Sequence, residues 1–331
     1  MQALILGATG FIGSHIVRAC VAAGWTARAF RRAASPALAL AGLEVESALG
    51  DLEDPASLAK AMRDCALVFH AAGFYPTRSV AQGEMQKAAA RQMTNVLTAA
   101  RRAGVEKVIY TSSLSTVGPA ARADGLATEE DLYRPGTARH PYWEVKWTQE
   151  EIARRFAAEG LPIVILNPTA VFGPGDVKPT TGRALIMALR ARCRFYPDLR
   201  TNVIDVRDVA AAHVAAAARG RPGERYILGA HNVTGRDLVA ALAEVAGLPP
   251  PRWRVPLPGW LFGPARLLEH GLQRLAPQAA FLMPTLALEF SRLGGWYDSG
   301  KAQRELGWQV GRSLTETLRD AVAWFREHGY L

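Results

Sequence analysis

Cysteine is scarce in this 331-residue sequence: Cys20, Cys65 and Cys193 stand far apart and form no CxxC pair. That excludes a disulfide framework and a cysteine-held structural zinc, and it points to a reducing compartment. Seven histidines show no ligand spacing such as HExxH, so no metal is expected, and His70, His140 and His213 read as structural. No run of about twenty apolar residues is present, so nothing as written crosses a bilayer. The apolar 257–290 segment is interrupted by Pro258, Pro264, Arg266, Glu269, Arg274, Pro277 and Pro284, which leaves contact with a membrane surface open but not passage through one. A basic leader before the first apolar run is missing too, so a cytoplasmic location is expected. The net charge is +9, yet the arginines are scattered and form no dense run. A nucleic-acid partner is therefore not expected, and the expectation of a small-molecule substrate rests on the motifs further along the chain. Finally, no Asp or Glu occurs between Gly13 and Glu44.

What is present is alternation. QALIL (2–6), TARAF (26–30), LEVESA (43–48), ALVFH (66–70), KVIYT (107–111) and PIVIL (162–166) read as strands. Helical segments at 11–23, 55–63, 84–103 and 141–159 lie between them. Strand–helix repetition predicts βαβ units and a parallel sheet covered on both faces, which suits strands that are apolar throughout. Beyond Gly173 the pattern loosens into helices at 180–193 and 207–219, a strand RYILG (225–229), and a mainly helical remainder. The fold class is α/β: a Rossmann-type doubly wound parallel sheet with a smaller, mainly helical C-terminal substrate lobe. The expected division gives 1–172 to dinucleotide binding, with 205–232 returning to it, and 173–204 plus 233–331 to the substrate lobe. The sequence leaves the oligomeric state open, a homodimer included.

The first strand runs into GATGFIG, and a helix follows. Gly7, Gly10 and Gly13 permit a tight turn and let backbone N–H groups approach a pyrophosphate at the helix N-terminus. The spacing is GxxGxxG, not GxGxxG. Further on, HPYWEVKWTQEEIARR (140–155) places Tyr142 and Lys146 one helical turn apart on one face. A free phenol titrates near ~10, and a neighbouring ammonium favours the phenolate.

TGFIG after the first strand, YxxxK at 142–146, HAAG at 70–73, YTSS at 110–113, NPTAVFGPGD at 167–176 and YDSGKAQRELGW at 297–308 resemble the extended short-chain dehydrogenase/reductase family (the NAD-dependent epimerase/dehydratase type) over nearly the whole chain. Within it the sequence is most similar to the dihydroflavonol 4-reductase-like branch, and GDVKPTTGR (175–183) and GERYILGAHNVT (223–234) resemble the hopanoid-associated sugar epimerases. The resemblance implies that Tyr142 exchanges a proton with a substrate oxygen, that Lys146 also contacts the nicotinamide ribose, and that Ser113 holds the reacting carbonyl. It further implies a cofactor site of Gly7, Thr9, Gly10, Phe11, Ile12, Gly13, Asp51 and Leu52 (toward adenine), Ala71, Ala72, Gly73, Thr111, Pro168 and Val171. Phe74 and Tyr75 follow the fourth strand and are candidates for a substrate wall, with core packing as the alternative. The tryptophans at 253, 260, 296 and 308 read as lobe core or pocket wall.

Two positions depart from the family pattern. Ala89 stands where an active-site Asn is expected, and Val145, before the lysine, replaces a small residue or Ser. Three functions stay open. The first is an NADP-dependent oxidoreductase interconverting a ketone or aldehyde and an alcohol on a fairly apolar molecule. The second is a nucleotide-sugar epimerase or dehydratase; there the usual diphosphate arginine falls on Thr201, with Arg200 adjacent and Arg183 as a substitute. The third is a dinucleotide-binding sensor without turnover. The cofactor expectation is NADP, with NAD as the alternative. NAD enzymes place an acidic residue after the second strand, whereas AFRRAAS supplies Arg31 and Arg32 there, which suit a 2′-phosphate.

Overall fold

The structure, a computed structural model, describes residues 1–36, 38–73, 82–179, 181–275 and 284–331. β1 (Gln2–Leu6) leads through the glycine turn into α1 (Phe11–Ala22). Then come β2 (Thr26–Arg31), β3 (Glu46–Leu49), α2 (Pro55–Ala61), β4 (Leu67–His70), α3 (Gln82–Ala103) and β5 (Lys107–Thr111). The short β6 (Leu126–Ala127) precedes α4 (Pro141–Ala158), β7 (Ile163–Pro168), β8 (Ala170–Phe172) and α5 (Gly182–Arg190). β9 (Phe195–Pro197), β10 (Arg200–Asp205), α6 (Val206–Arg219), β11 (Arg225–Leu228) and β12 (His231–Thr234) follow. The remainder holds α7 (Gly235–Ala246), β13 (Trp253–Val255), α8 (Phe262–Leu275), α9 (Pro284–Leu293), β14 (Trp296–Tyr297), α10 (Gly300–Leu306) and α11 (Leu314–Glu327).

Seven strands form the parallel sheet in the order β11-β7-β5-β4-β1-β2-β3. The strand order reverses between β1 and β4, and the ligand crevice of such a sheet opens beyond the carboxyl ends at that point. One face is covered by α1 and α6, with Ala302, Leu306 and Trp308 of the C-terminal stretch in the same core. The other is covered by α2, α3 and α4. β3 starts at Glu46 rather than Leu43, because Leu43 and Val45 pack on the core ahead of the first ladder pair, Arg28 with Glu46.

A second sheet, β12-β10-β8, was not expected from the sequence. It shares a core with α5, α7 and α11 built from Phe172, Val203, Val233, Leu242 and Phe325. Its strands are short or mixed in polarity, so periodicity alone does not mark them. The tryptophans divide. Trp308 is buried and donates to Asp208 O at 3.0 Å, but it lies in the core of the large sheet beneath α1 and α6 and not in the lobe, which corrects the expectation for it; Trp296 donates to Val233 O at 3.2 Å. Trp253 and Trp260 are instead 63% and 71% exposed, which corrects the expectation of core or wall for those two: β13 is an exposed ribbon and Trp260 sits in the turn before α8. Among the described residues no helix is long and apolar enough to cross a membrane.

Candidate active site

The glycine turn sits at the strand-order reversal. Gly7 adopts φ +82°, and a Cβ there would lie 2.8 Å from Ala72 Cα, so a side chain would clash with the β4 end across the crevice. A Cβ on Gly13 would lie 2.1 Å from Gly7 O. Thr9, Gly10, Phe11 and Ile12 form the turn and the first residues of α1. No side chain caps this helix and its first turn carries no acid, so its N–H groups remain available to an anion. The turn therefore fits a pyrophosphate. Ala71, Ala72 and Gly73 follow β4 with no bulky side chain beside it.

At the adenosine end, Arg31 closes β2 and Arg32 is exposed. Arg31 Nη1 lies 3.2 Å from Ser35 O, so its guanidinium folds over the 32–35 turn. Asp51 accepts from Glu53 N–H at 2.9 Å, and Leu52 packs on the α2–α3–α4 core.

The reacting end is organised by α4. Pro141 opens the helix, and His140 Nδ1 accepts the Tyr142 N–H at 3.1 Å, so the cap fixes Tyr142 in the first turn. Tyr142 Oη donates to Ser113 Oγ at 3.2 Å. Lys146 lies one turn on and is buried. Burial pulls its pKa down to about 8, and the carboxylate of Glu150 acts in the opposite sense. The ring of Tyr142 shares an apolar cluster with Tyr133 and Trp143, and Phe290 of α9 packs against it.

Not every sequence-derived residue joins this group. Thr111 Oγ1 points instead toward α6, 2.8 Å from His213 Nε2. Val171 packs in the core beneath α1 and α6, and Pro168 is buried at the end of β7. Phe74 and Tyr75 lie outside the described residues.

Several residues that sequence reasoning passed over surround the site. Glu150 Oε2 is 2.5 Å from Ser112 Oγ, 2.6 Å from Thr116 Oγ1 and 2.9 Å from Asn167 Nδ2, while Oε1 is 2.6 Å from Arg225 Nε. Glu144 Oε1 accepts from Tyr133 Oη at 2.6 Å and from Gly136 N–H at 2.7 Å, holding the loop before α4. The available signal for Glu150 was its spacing: residues 142, 146 and 150 repeat by four and share one helix face.

A phenol, a serine hydroxyl and a buried ammonium are groups able to exchange a proton with an oxygen. Residues 3–229 match the NAD dependent epimerase/dehydratase family. The chain belongs to this family, and it is an NAD(P)-dependent oxidoreductase of the extended short-chain type. It is 35% identical to a Synechocystis sp. protein named, provisionally, a dihydroflavonol 4-reductase, over 99% of this chain and 95% of that one. It is 33% identical to sterol demethylase protein B of Methylococcus capsulatus over the full length of both. The crystal structure of a nucleoside-diphosphate-sugar epimerase from Pseudomonas aeruginosa superposes with a TM-score of 0.81 at 31% identity, covering 100% of this chain and 99% of that one.

Proposed function

We propose that the protein is an NADP(H)-dependent reductase or dehydrogenase that interconverts a ketone and a secondary alcohol on a fairly apolar small molecule. The observation that carries this reading is the Tyr142 Oη to Ser113 Oγ contact of 3.2 Å with Lys146 one turn along the same helix. The chemistry that a nicotinamide held in the crevice would supply is hydride transfer to or from the carbonyl carbon. Ser113 Oγ holds the substrate oxygen, and Tyr142 Oη delivers the proton that turns it into a hydroxyl. The Lys146 ammonium stabilises the phenolate left behind.

The remaining assignments follow the shape of the crevice. The Gly7–Gly13 turn and the start of α1 would hold the pyrophosphate, Asp51 and Leu52 the adenine, and Lys146 the nicotinamide ribose. Ala71, Ala72 and Gly73 leave room for the cofactor, and the backbone near Pro168 and Val171 borders it. Residues 1–172 and 205–232, with Ala302, Leu306 and Trp308 packed on the same core, would carry the cofactor, and 173–204 with the rest of 233–331 the substrate. Phe290, partly buried against the Tyr142 ring, favours an apolar ring system, and a relative named for sterol demethylation supports the same choice. The nucleotide-sugar alternative wants a cation for the diphosphate. Thr201 offers none and the Arg200 guanidinium lies over the Trp296 ring at 4.5 Å, so that reading would have to draw its cation from Arg183 at the start of α5.

The NADP choice rests on Arg31 and Arg32 and on the missing acid at the end of β2. Dissociation constants for NADPH and NADH on the wild-type protein test it. NADPH is expected to bind tighter by about tenfold or more; equal constants, or tighter NADH, would overturn the assignment.

A further inference from the structure

We propose that Glu150 is the positioning residue of this active site: its carboxylate, locked by Arg225, fixes the Ser113 loop against α4 and keeps Lys146 charged. The catalytic meaning of this inference rests on the roles proposed above for Ser113, Tyr142 and Lys146.

Glu150 is fully buried and Arg225 is 6% exposed, so this ion pair is shielded from water. Arg225 reaches it from β11 and is itself held, with Nη1 2.8 Å from Glu129 O and Nη2 3.0 Å from Thr116 O. Two of the groups that Glu150 Oε2 gathers also hold the backbone of Ser113. Asn167 Nδ2 is 3.2 Å from Ser113 O, and Thr116 Oγ1, with one hydrogen to give, is 2.8 Å from the same carbonyl. Ser112, the neighbour of Ser113, donates to Glu150 directly at 2.5 Å. The carboxylate thus ties the ends of β5, β7 and β11 to α4, and the tie sets where Ser113 Oγ meets Tyr142 Oη.

The second half of the inference is electrostatic. Lys146 is buried with a pKa near 8, close enough to physiological pH for a neighbouring charge to decide its state. Glu150 acts on it directly, His70 at the end of β4 feels its charge, and Tyr142 lies one turn back on α4; Tyr110 on β5 and Arg225 on β11 reach the group through Glu150. His70 is held neutral, its pKa pushed down to about 3 mainly by burial, with Lys146 adding to the effect. Burial holds Tyr110 neutral as well. Glu150 is the anion in this group, one helical turn beyond the ammonium. A buried ion pair does not by itself stabilise a fold, since desolvation offsets much of the attraction. A role toward Lys146 gives the buried charge a function that an apolar pair of equal size lacks.

The test does not need the substrate. The chain has six lysines, at 60, 87, 107, 146, 178 and 301. Carbon-13 labelling of the lysine ε-carbons lets each be titrated by NMR, with Lys146 assigned through Lys146→Arg. Glu150→Gln is expected to lower the Lys146 midpoint by about one pH unit or more. Because that variant leaves Arg225 buried without its partner, Glu150→Gln/Arg225→Met is measured beside it. The double variant should regain thermal stability while its Lys146 midpoint stays below the wild-type value. A midpoint unchanged in both folded variants would overturn the proposal and reduce the pair to a structural tie. If the midpoint moves and the basic limb of kcat/KM with NADPH moves with it, the positioning role is upheld in catalysis. If the midpoint moves but wild type turns over no ketone, the coupling stands and the reductase reading falls.

Discussion

Ala89 on α3 and Val145 on α4 belong to one small apolar cluster with Met85, and both are fully buried. They are also the two positions at which the sequence departs from the family it resembles. The structure makes them one change: where the family pattern has an amide near a small or hydroxyl residue, this chain closes the α3–α4 seam with methyl groups. Ala89→Asn would bury an amide against Val145 with no partner, at a cost of about 1–3 kcal/mol. Val145→Ser on top of it gives the amide a hydroxyl. The double variant should therefore lose less than the sum of the single losses in urea denaturation, whereas strict additivity would contradict the contact.

Tyr142→Phe removes one oxygen and leaves the ring packed against Phe290. Loss of the general acid predicts a fall in turnover of about a hundredfold or more with little change in NADPH affinity. Lys146→Met should damage both, because the proposed function gives that side chain two roles. Calorimetric NADPH titration of the two variants separates them, and unchanged affinity in Lys146→Met removes the ribose contact.

Arg31→Ala tests the cofactor preference from the protein side. A charge-assisted contact to phosphate is worth roughly 1.5–3 kcal/mol, so most of an about tenfold preference for NADPH should vanish. NADH affinity should stay where it was. A variant that still prefers NADPH as strongly as wild type would move the role to another residue, with Arg32 next in line.

The fold also carries a pH dependence. His213 lies 2.8 Å from Val209 O through Nδ1 and 2.8 Å from Thr111 Oγ1 through Nε2, so the neutral ring is satisfied at both nitrogens. Burial depresses its pKa from 6.5 to about 4. The folded pKa lies below the unfolded one, so the folded state resists protonation. The stabilisation is complete above pH 6.5, is lost as pH falls toward 4, and levels off below that. The full loss is on the order of 3 kcal/mol for this residue. His70 and His140 are also depressed, to about 3 and about 4, and act in the same direction. The melting temperature should drop between pH 7 and pH 4.5, and His213→Gln should drop less. An equal drop in the variant would show that His213 is not part of the effect.

Local pattern carried a large part of this molecule. β1 and β5 begin and end where QALIL and KVIYT do, because doubly covered strands are continuous apolar runs. The glycine turn was legible because its residues are forced by backbone geometry, as the Gly7 and Gly13 clashes show. The Tyr142–Ser113 meeting was not derivable from spacing; the resemblance supplied it, and the structure places the two hydroxyls together. Glu150 was passed over because no local pattern marks that glutamate for burial. Its burial depends on Arg225, Thr116 and Asn167, which arrive from β11, the β5 loop and β7. The β12-β10-β8 sheet stayed hidden for a related reason: RTNVID and HNVT mix polar and apolar residues, and their pairing is set by tertiary contacts.

The central claim is that Tyr142, Ser113 and Lys146 reduce an apolar ketone with NADPH. The most direct measurement is NADPH oxidation by purified protein against a panel of steroid-like, flavonoid-like and other cyclic ketones, run beside UDP- and TDP-hexoses, with Tyr142→Phe as control. The account predicts NADPH loss that depends on an apolar ketone in wild type and falls about a hundredfold or more in Tyr142→Phe. Interconversion of a nucleotide hexose with no NADPH oxidation by any ketone would contradict it.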